Sequence, residues 1–309
     1  MLMFKKTIIG FSAVLFLVFL LVPSRSEAIT VTPAIRELNL IAGEETTAVV
    51  ELENDGLEKV ELTTEVVNYT AKGESGEPDF DFDSAPTGAA LWMEVTEGPI
   101  IIQPGQKTQV AVTFDTPANA QPGGYYAAVL FNMGDSSATT ERRDVTIESK
   151  IAVPFLATVK GSYTEGGKII AFGLEGNKTS YTAGPVVFSP LRYQNTGDIH
   201  LKPTGRVDIT DMFGKTVKSI IINEDLGAVL PNSIRKFEVG SWNNLGSAFG
   251  KYTATLTLTA GSVKNTASVD FWVLSTTGIV IAVVVFIILI FLIVLLVNKA
   301  SKKSSPANK

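Results

Sequence analysis

Residues 123–131 read GGYYAAVLF, and residues 250–258 read GKYTATLTL. In both stretches a Gly-x-Tyr start is followed by small or aliphatic residues at every second position, which is the period of a β-strand with one buried face. We predict that Tyr125 and Tyr252 lie at the edge of a core and that their hydroxyls hydrogen-bond a neighbouring loop, as in a tyrosine corner. Stacking on a carbohydrate is the alternative role for both rings.

The two stretches belong to a longer repeat. Gly43 and Gly184 each precede an Asn-x-Gly sequence by 11 residues, NDG at 54–56 and NTG at 195–197. A proline also precedes each Gly-x-Tyr glycine by 19 residues. Features that recur in the same order at the same spacing indicate two tandem copies of one domain. The Asn-x-Gly sequences predict turns in which the glycine adopts a positive φ.

Alternating segments rich in Val, Thr and Leu recur along the chain, as at 46–52 (TTAVVEL), 60–67 (VELTTEVV) and 109–114 (QVAVTF). Gly, Pro, Asn and Asp separate them. Strands spaced about 8–12 residues apart without intervening helices are typical of antiparallel β-sandwiches. We therefore predict an all-β fold with two tandem immunoglobulin-like β-sandwiches, at 29–161 and 162–276.

The amino terminus has the pattern of an export signal. Two lysines precede an apolar run at 7–22, and the sequence SEA at 26–28 fits the small-x-small preference of signal peptidase. Residues 1–28 are therefore predicted to be a cleaved signal peptide, and an uncleaved second membrane span is the alternative.

A second apolar run lies near the carboxyl terminus. At 277–298 it is long enough to cross about 30 Å of hydrocarbon as a helix, and a lysine-rich tail follows at 299–309. Because basic residues are retained on the cytoplasmic side, this order predicts a single-pass plasma membrane protein with an extracellular ectodomain and a cytoplasmic basic tail.

The composition limits the class of function. The predicted ectodomain holds 30 of the 31 acidic residues but 19 of the 26 basic ones, and so acidic a surface is unsuited to nucleic acid. The chain has no cysteine, which removes thiolate nucleophiles and cysteine-based metal centres. The missing disulfides favour a bacterial envelope over a eukaryotic ectodomain. We predict no cofactor.

Several motifs together resemble a known family. The sequences PGGYY at 122–126, KIAVP at 150–154 and NTGDIH at 195–200 lie between a signal peptide and a single span. In this order they resemble the WxL-interacting surface proteins, which are two-domain, membrane-anchored proteins of Gram-positive bacteria. The resemblance implies a first domain that binds peptidoglycan, a second that binds host or matrix proteins, and wall-attached WxL partners.

Asp79, Asp81 and Asp83 alternate with phenylalanine in DFDFD at 79–83. Three carboxylates on one side of an extended segment can bind Ca²⁺, but the Gly and Glu positions of the EF-hand loop are not matched. We predict an acidic, mobile loop at about 71–89 and no metal site, and whether this loop binds Ca²⁺ stays open.

Few residues suggest catalysis. His200 is the only histidine, is predicted to lie on a strand facing a cross-strand neighbour, and has no Gly-x-Ser-x-Gly elbow to accompany it. Trp92 and Trp242 are predicted to be core or loop anchors, with sugar stacking as the alternative. Trp272, six residues before the span, fits an interfacial aromatic belt. No catalytic residue is predicted.

The leading hypothesis is a non-enzymatic, membrane-anchored bacterial surface protein whose tandem immunoglobulin-like domains bind or scaffold envelope components, either peptidoglycan or other surface proteins. A cell-wall hydrolase or enzyme subunit is one alternative, because scattered acids can include a converging carboxylate pair. A subunit of a membrane sensory or secretion complex is the other.

Overall fold

The computed structural model describes residues 29–96, 98–133, 149–243, 245–246 and 248–303. Antiparallel strands dominate this part of the chain. The strands and α-helices are, in chain order, β1 (Ile29–Thr32), β2 (Arg36–Leu40), β3 (Glu45–Asn54), β4 (Val60–Ala71), β5 (Pro78–Asp81), α1 (Ala89–Trp92), β6 (Met93–Val95), β7 (Ile100–Ile102), β8 (Lys107–Asp115), β9 (Gly123–Met133), β10 (Ser149–Val159), β11 (Gly167–Ala171), β12 (Ser180–Tyr181), β13 (Val186–Val187), β14 (Leu191–Asn195), β15 (Thr204–Asp211), β16 (Thr216–Ile222), β17 (Ile234–Phe237), β18 (Ser241–Trp242), β19 (Phe249–Ala260), β20 (Val263–Leu274) and α2 (Thr276–Lys303).

Unit 1 comprises the described residues within 1–68, 82–120 and 126–157. One sheet has the strand order β1-β3-β8-β6, and the other has the order β2-β10-β9-β4 with β7 also paired to β4. Alternate residues of β3 and β8 are buried, so each strand contributes one apolar face to the core. The rings of Phe114 and Phe155, 5.5 Å apart, lie in that core.

Unit 2 comprises the described residues within 69–81, 121–125 and 158–309. Its larger sheet has the order β12-β20-β19-β15-β16, and its smaller sheet has the order β11-β14-β17. The longest ladder joins β19 to β20, from the pair Phe249 and Leu274 to the pair Ala260 and Val263. The short strands β13 and β18 pair with each other and bring Trp242 into the core.

The repeat predicted from the sequence is present in the topology. In unit 1 the pair β3 and β8 is flanked by β1, and in unit 2 the pair β14 and β17 is flanked by β11. In the second sheets, β10-β9-β4 corresponds to β20-β19-β15. Gly43 and Gly184 both have positive φ, at 80° and 75°, and so do Gly123 and Gly250, at 145° and 120°. The chain therefore contains two copies of one sandwich.

The Asn-x-Gly turns differ from their prediction, because Gly56 and Gly197 do not adopt a positive φ. The turns are instead organised by fully buried asparagines. The Nδ2 of Asn195 donates to the carbonyl oxygens of Ile199 and Val229, at 2.7 and 2.8 Å, and its Oδ1 accepts from the amide of Gly197 at 2.9 Å.

Asn54 makes the corresponding bonds in unit 1. Its Nδ2 donates to the carbonyl oxygens of Glu58 and Ile102, and its Oδ1 accepts from the amide of Gly56. In unit 2 a Cβ at Gly197 would lie 2.5 Å from the carbonyl oxygen of Thr164, so close backbone approach requires this glycine. The two Asn-x-Gly turns are therefore equivalent, as the repeat predicts. Buried asparagine hydrogen bonds, and not a positive glycine φ, determine their conformation.

The predicted fold class, two tandem immunoglobulin-like sandwiches followed by an apolar helix, is confirmed in the described residues. The alternating segments at 46–52, 60–67 and 109–114 lie within β3, β4 and β8. The predicted signal peptide at 1–28 lies outside the described residues. The domain limits of 29–161 and 162–276 stay a prediction.

The helix α2 matches the predicted span at 277–298. Within the described chain, one helix is long and apolar enough to cross a membrane, over Thr276–Lys299. Its apolar side chains are exposed rather than packed in a core, which is the pattern of a lipid-facing helix. The side of the membrane on which the sandwiches lie stays a prediction.

Candidate functional site

The predicted acidic loop at 71–89 is interrupted by a strand, Pro78–Asp81. The chain extends as β4 to Ala71, turns, and returns as β5, in which Asp79 and Asp81 lie. Phe80 packs edge-on against Tyr69, with ring centroids 6.0 Å apart, because alternation along β5 directs it away from the aspartates. In the part of the chain that the structure describes, Asp79, Asp81 and Asp83 form no group able to hold a metal ion.

The two repeat tyrosines occupy different environments. The hydroxyl of Tyr125 donates to the carbonyl oxygen of Gln121 at 2.9 Å, which confirms the predicted tyrosine-corner bond, but its ring is only half-buried. Tyr252 is buried and contacts Trp242 and Phe271, at centroid distances of 5.2 and 6.1 Å. Burial raises the pKa of the Tyr252 hydroxyl. Neither ring is presented as a fully exposed platform.

The remaining predicted residues are dispersed. His200 does not lie on a strand; it is half-buried in the loop just before the isolated bridge between Leu201 and Val229. Trp242 is buried, as predicted, and Trp92 is half-buried at the end of α1. Trp272 is exposed on β20. These residues do not converge on one site.

An open groove of about 680 Å³ lies in unit 2, between β16 and β17. Its apolar lining includes Ile220, Ile221 and Phe237, and charged residues surround these side chains. The charged residues that line it are Lys218, Glu224, Asp225, Arg235, Lys236 and Glu238. An enclosed apolar pocket with a few polar groups is typical of small-molecule sites, and this groove is open and charged instead.

The strand β16 forms one wall of the groove. It is the last strand in its sheet, paired with β15 from Thr216 to Ile222. Its register shifts by one residue near Val217, which marks a bulge. Ile221 is 61% exposed and Val217 is 39% exposed, so aliphatic side chains and main-chain groups lie at the same sheet edge. Such an edge is able to pair with another strand.

The strand β17 forms the opposite wall, and its edge is already occupied within unit 2. The amide of Lys236 donates to the carbonyl oxygen of Glu74 at 2.9 Å. The Glu74 carboxylate accepts hydrogen bonds from Arg192 and pairs with the Lys236 ammonium at 3.4 Å. The loop at 72–77 therefore occupies the β17 edge at Lys236, whereas β16 is the terminal strand on the other side of the groove.

Arg235 packs against Phe237, the apolar residue of this wall. Its guanidinium lies over the Phe237 ring, 5.3 Å from the ring centroid, and donates to the carbonyl oxygen of Ala228 at 2.9 Å. A side chain at Gly76 or Gly227 would overlap the guanidinium, so both glycines are needed for the close approach.

The Arg192 hydrogen bonds lower the pKa of Glu74, and burial only partly opposes this effect. The unperturbed value is 4.5. Because the pKa is lowered on folding, the interaction stabilises the loop fully above the unperturbed pKa. Its contribution is lost as pH falls through the folded pKa.

We expect the Lys236 amide to stay protected from hydrogen exchange, after correction for intrinsic rates, from neutral pH down to about pH 4.5, and to lose protection below it. Glu74→Gln should lower protection at neutral pH and remove this acid-dependent step. The matched control is Glu77→Gln in the same loop, whose exposed pair with Lys72 spans 3.8 Å. A step that persists in Glu74→Gln would contradict the assignment.

Neither of the two sequence comparisons assigns the chain to a family. A search with protein-family models finds no match to the chain, and a search of curated proteins finds none either. Among solved structures, the E. coli chaperone DraB is 9% identical, with a TM-score of 0.40, over 80% of this chain and 96% of DraB.

Two further solved structures are similar at the same level. One is the Salmonella enterica SafA pilin in complex with the SafB chaperone, at 9% identity and a TM-score of 0.41, over 80% of this chain and 99% of the matched chain. The other is the CsuC–CsuE chaperone-tip adhesion subunit complex of Acinetobacter baumannii, at 14% identity and 0.37, over 69% and 90%. Similarities this low carry no inference about function.

Proposed function

We propose that the chain is a membrane-anchored, non-enzymatic binding protein of the bacterial surface, and that the groove between β16 and β17 binds an extended segment of another surface protein. The observation that carries this proposal is the position of β16. It is the terminal strand of its sheet, and it runs along an open groove with exposed aliphatic side chains.

Main-chain pairing is the first contribution to binding. Along a terminal strand, every second residue directs its N–H and C=O groups away from the neighbouring strand. An added strand satisfies those groups and gains affinity without a preformed pocket. Within unit 2 the Lys236 amide on the edge of β17 already has a partner, the carbonyl oxygen of Glu74.

Side chains supply the specificity. An aliphatic residue of the incoming segment would lie between Ile220 and Phe237. Glu224 and Asp225 follow the carboxyl end of β16, whereas Lys218 lies nearer its amino end. We therefore expect a partner segment with alternating aliphatic residues and a basic residue at the end that faces Glu224 and Asp225.

The proposed cellular arrangement rests on α2 and on the sequence. The lysine-rich tail at 299–309 would stay inside, so both sandwiches would be displayed outside. The resemblance to WxL-interacting proteins supports a protein partner at the cell wall, and membership of that family remains part of the proposal. The groove offers charged walls and an apolar base in which the Phe237 ring is buried, rather than a fully exposed aromatic platform for a sugar.

We expect Ile221→Lys and Val217→Lys each to weaken partner binding by about tenfold or more, because each removes apolar contact and places a charge on the edge. The matched control is Val49→Lys. Val49 is 40% exposed against 39% for Val217, but it lies on β3, an interior strand of its sheet. The measurement uses the full chain in cells with a photoreactive residue in place of Ser241, which lines the groove, and quantifies the crosslinked adducts.

An adduct that persists in wild type and Val49→Lys but is lost in the two β16 variants supports the groove. Equal adducts in all four proteins would place binding elsewhere. Retention on purified wall sacculi that is insensitive to the β16 changes would indicate peptidoglycan as the ligand. Steady release of soluble sugar or peptide from sacculi would replace the binding hypothesis with the hydrolase.

A further inference from the structure

The junction between unit 2's last strand and α2 has almost no linker. Ser275 is the single residue between Leu274, where β20 ends, and Thr276, where α2 begins. The Ser275 amide and hydroxyl both donate to the carbonyl oxygen of Ala248, at 3.2 and 2.8 Å. The Ser275 hydroxyl also accepts from the amide of Gly278 at 3.0 Å, which caps the helix.

This junction is buried as well as short. Ser275 and Gly278 are both buried although the rest of α2 is mostly exposed. The first turn of the helix is therefore held against the loop that contains Ala248. Because the helix is attached in this way, the position of its first turn determines the position of the adjoining end of the sandwich.

Helix length fixes where that end lies. The apolar segment Thr276–Lys299 has 24 residues. It is about 36 Å long as a helix, against roughly 30 Å of hydrocarbon in a bilayer. The helix therefore has no surplus length that would hold unit 2 away from the membrane, and the end of the sandwich beside Ser275 adjoins the headgroup layer.

Three aromatic side chains are exposed at this end. Phe249 pairs with Leu274, and Trp272 lies two residues before Leu274 on β20. Phe213 lies in the β15–β16 turn, directly after the pairing of Asp211 with Tyr252. Phe213 is 87% exposed, and Phe249 and Trp272 are each nearly half-exposed. We call Phe213, Phe249 and Trp272 the juxtamembrane rim.

The turn that carries Phe213 is held by hydrogen bonds to Asp211. The carboxylate of Asp211 accepts hydrogen bonds from the amides of Phe213 and Lys215, each at 2.9 Å. Met212 packs over Gly250, which has a φ of 120° and where a side chain would overlap the methionine. Phe213 is therefore fixed in an exposed position, which costs hydrophobic free energy in water unless an apolar or amphipathic phase covers the ring.

Charge at this end differs from the acidic surface as a whole. The carboxylate of Asp270 pairs with Lys251 at 2.7 Å, next to Trp272. The Asp211 carboxylate is occupied by backbone amides. The ion pair with Lys251 compensates the charge of Asp270 and reduces its repulsion from anionic headgroups.

We propose that the juxtamembrane rim inserts into the headgroup layer of the same bilayer that α2 crosses, so that unit 2 stands directly on the lipid surface. This inference rests on the anchoring role of α2 in the proposed function. Trp is enriched at that depth, and Phe is among the apolar residues that interfacial membrane-binding surfaces bury at the boundary between headgroups and acyl chains. The rim then prevents the sandwich from tilting freely about its junction.

The absence of cysteine makes the test direct, because one introduced cysteine is labelled uniquely. The full chain, reconstituted in phosphatidylcholine vesicles that contain phosphatidylglycerol, is labelled with a fluorophore at Phe213→Cys. Leu226→Cys is the matched control, since Leu226 is also exposed but follows the opposite end of β16. Val285→Cys, within α2, reports insertion of the helix.

We expect lipids with a headgroup nitroxide to quench most of the fluorescence at position 213 and little at position 226. Lipids with a nitroxide deep in the acyl chain should quench position 285. Quenching at 285 but not at 213 would overturn the rim proposal and leave the anchor intact. No quenching at 285 would overturn the anchor itself. Shielding of position 213 in native membranes but not in vesicles would assign the rim to a protein partner and overturn lipid contact.

Discussion

Replacement of Asn195 by Ala is expected to destabilise unit 2 by about 2–4 kcal/mol, because two buried main-chain groups are left without a hydrogen-bond partner at roughly 1–2 kcal/mol apiece. Those groups are the carbonyl oxygen of Ile199 and the amide of Gly197, whereas the carbonyl oxygen of Val229 still accepts from the amide of Leu201 at 3.0 Å. Water cannot replace the lost bonds cheaply, since Asn195 is fully buried. Thermal unfolding of the full chain in detergent should shift down by about 10 °C.

Two controls separate hydrogen bonding from packing at this turn. Thr196→Ala changes an exposed neighbour in the same turn and should alter stability by less than about 0.5 kcal/mol. Asn195→Asp keeps the size and one acceptor but removes both donated bonds, and should be at least as harmful as Asn195→Ala at neutral pH. A loss below about 1 kcal/mol in Asn195→Ala would contradict the role assigned to the turn.

Replacement of Tyr252 by Ala is expected to cost about 3–5 kcal/mol, the range for large aromatic truncations in a core. The ring is buried and contacts both Trp242 and Phe271. Its removal leaves a cavity among rigid aromatic neighbours that collapse poorly. Hydrogen exchange of the β19 and β20 amides in the full chain measures the loss where it occurs.

Tyr125 supplies the matched control, because it occupies the equivalent repeat position in a half-buried environment. Tyr125→Ala should cost only about 1–2 kcal/mol, mainly through the bond from its hydroxyl to the carbonyl oxygen of Gln121. The repeat in the sequence predicts equal losses of stability for the two tyrosines, whereas their different burial predicts unequal losses. Equal measured losses would therefore contradict the expectation based on burial.

Much of the fold follows from local sequence. Alternation at 46–52 and 109–114 identifies strands because one face of each must be apolar to join a core. The spacing from Gly43 to Asn54 and from Gly184 to Asn195 identifies the repeat, because the same turn closes both sandwiches. These features depend on residues close together in the chain.

Two predictions, for His200 and for the acidic segment at 79–83, differ from the structure for the same reason. His200 resembles a strand residue locally, yet only the following residue, Leu201, forms a bridge, because the Asn195 turn holds the preceding segment. The acidic segment at 79–83 resembles a loop, yet pairing with β4 makes its first part a strand. In both cases a partner distant in sequence decided the conformation.

The candidate site could not be read from the sequence. The segment TVKSIII at 216–222 has an aliphatic end and follows a glycine turn, which is a signal for a strand. That β16 is terminal, and that it lies across a groove from β17, depends on the order of strands in two sheets. The same holds for Phe213 and Phe249, whose nearness to the span follows from the β15-β19-β20 register.

The sequence by itself determined the all-β class, the tandem repeat and the apolar helix, because hydrophobic periodicity and turn chemistry are local properties. Tertiary structure alone decided which asparagine hydrogen-bonds are buried, which sheet edge stays open and which aromatic residues surround the start of α2. Those outcomes require strands far apart in the chain to pair in one register. Burial, edge position and depth in a membrane are properties of that assembled arrangement.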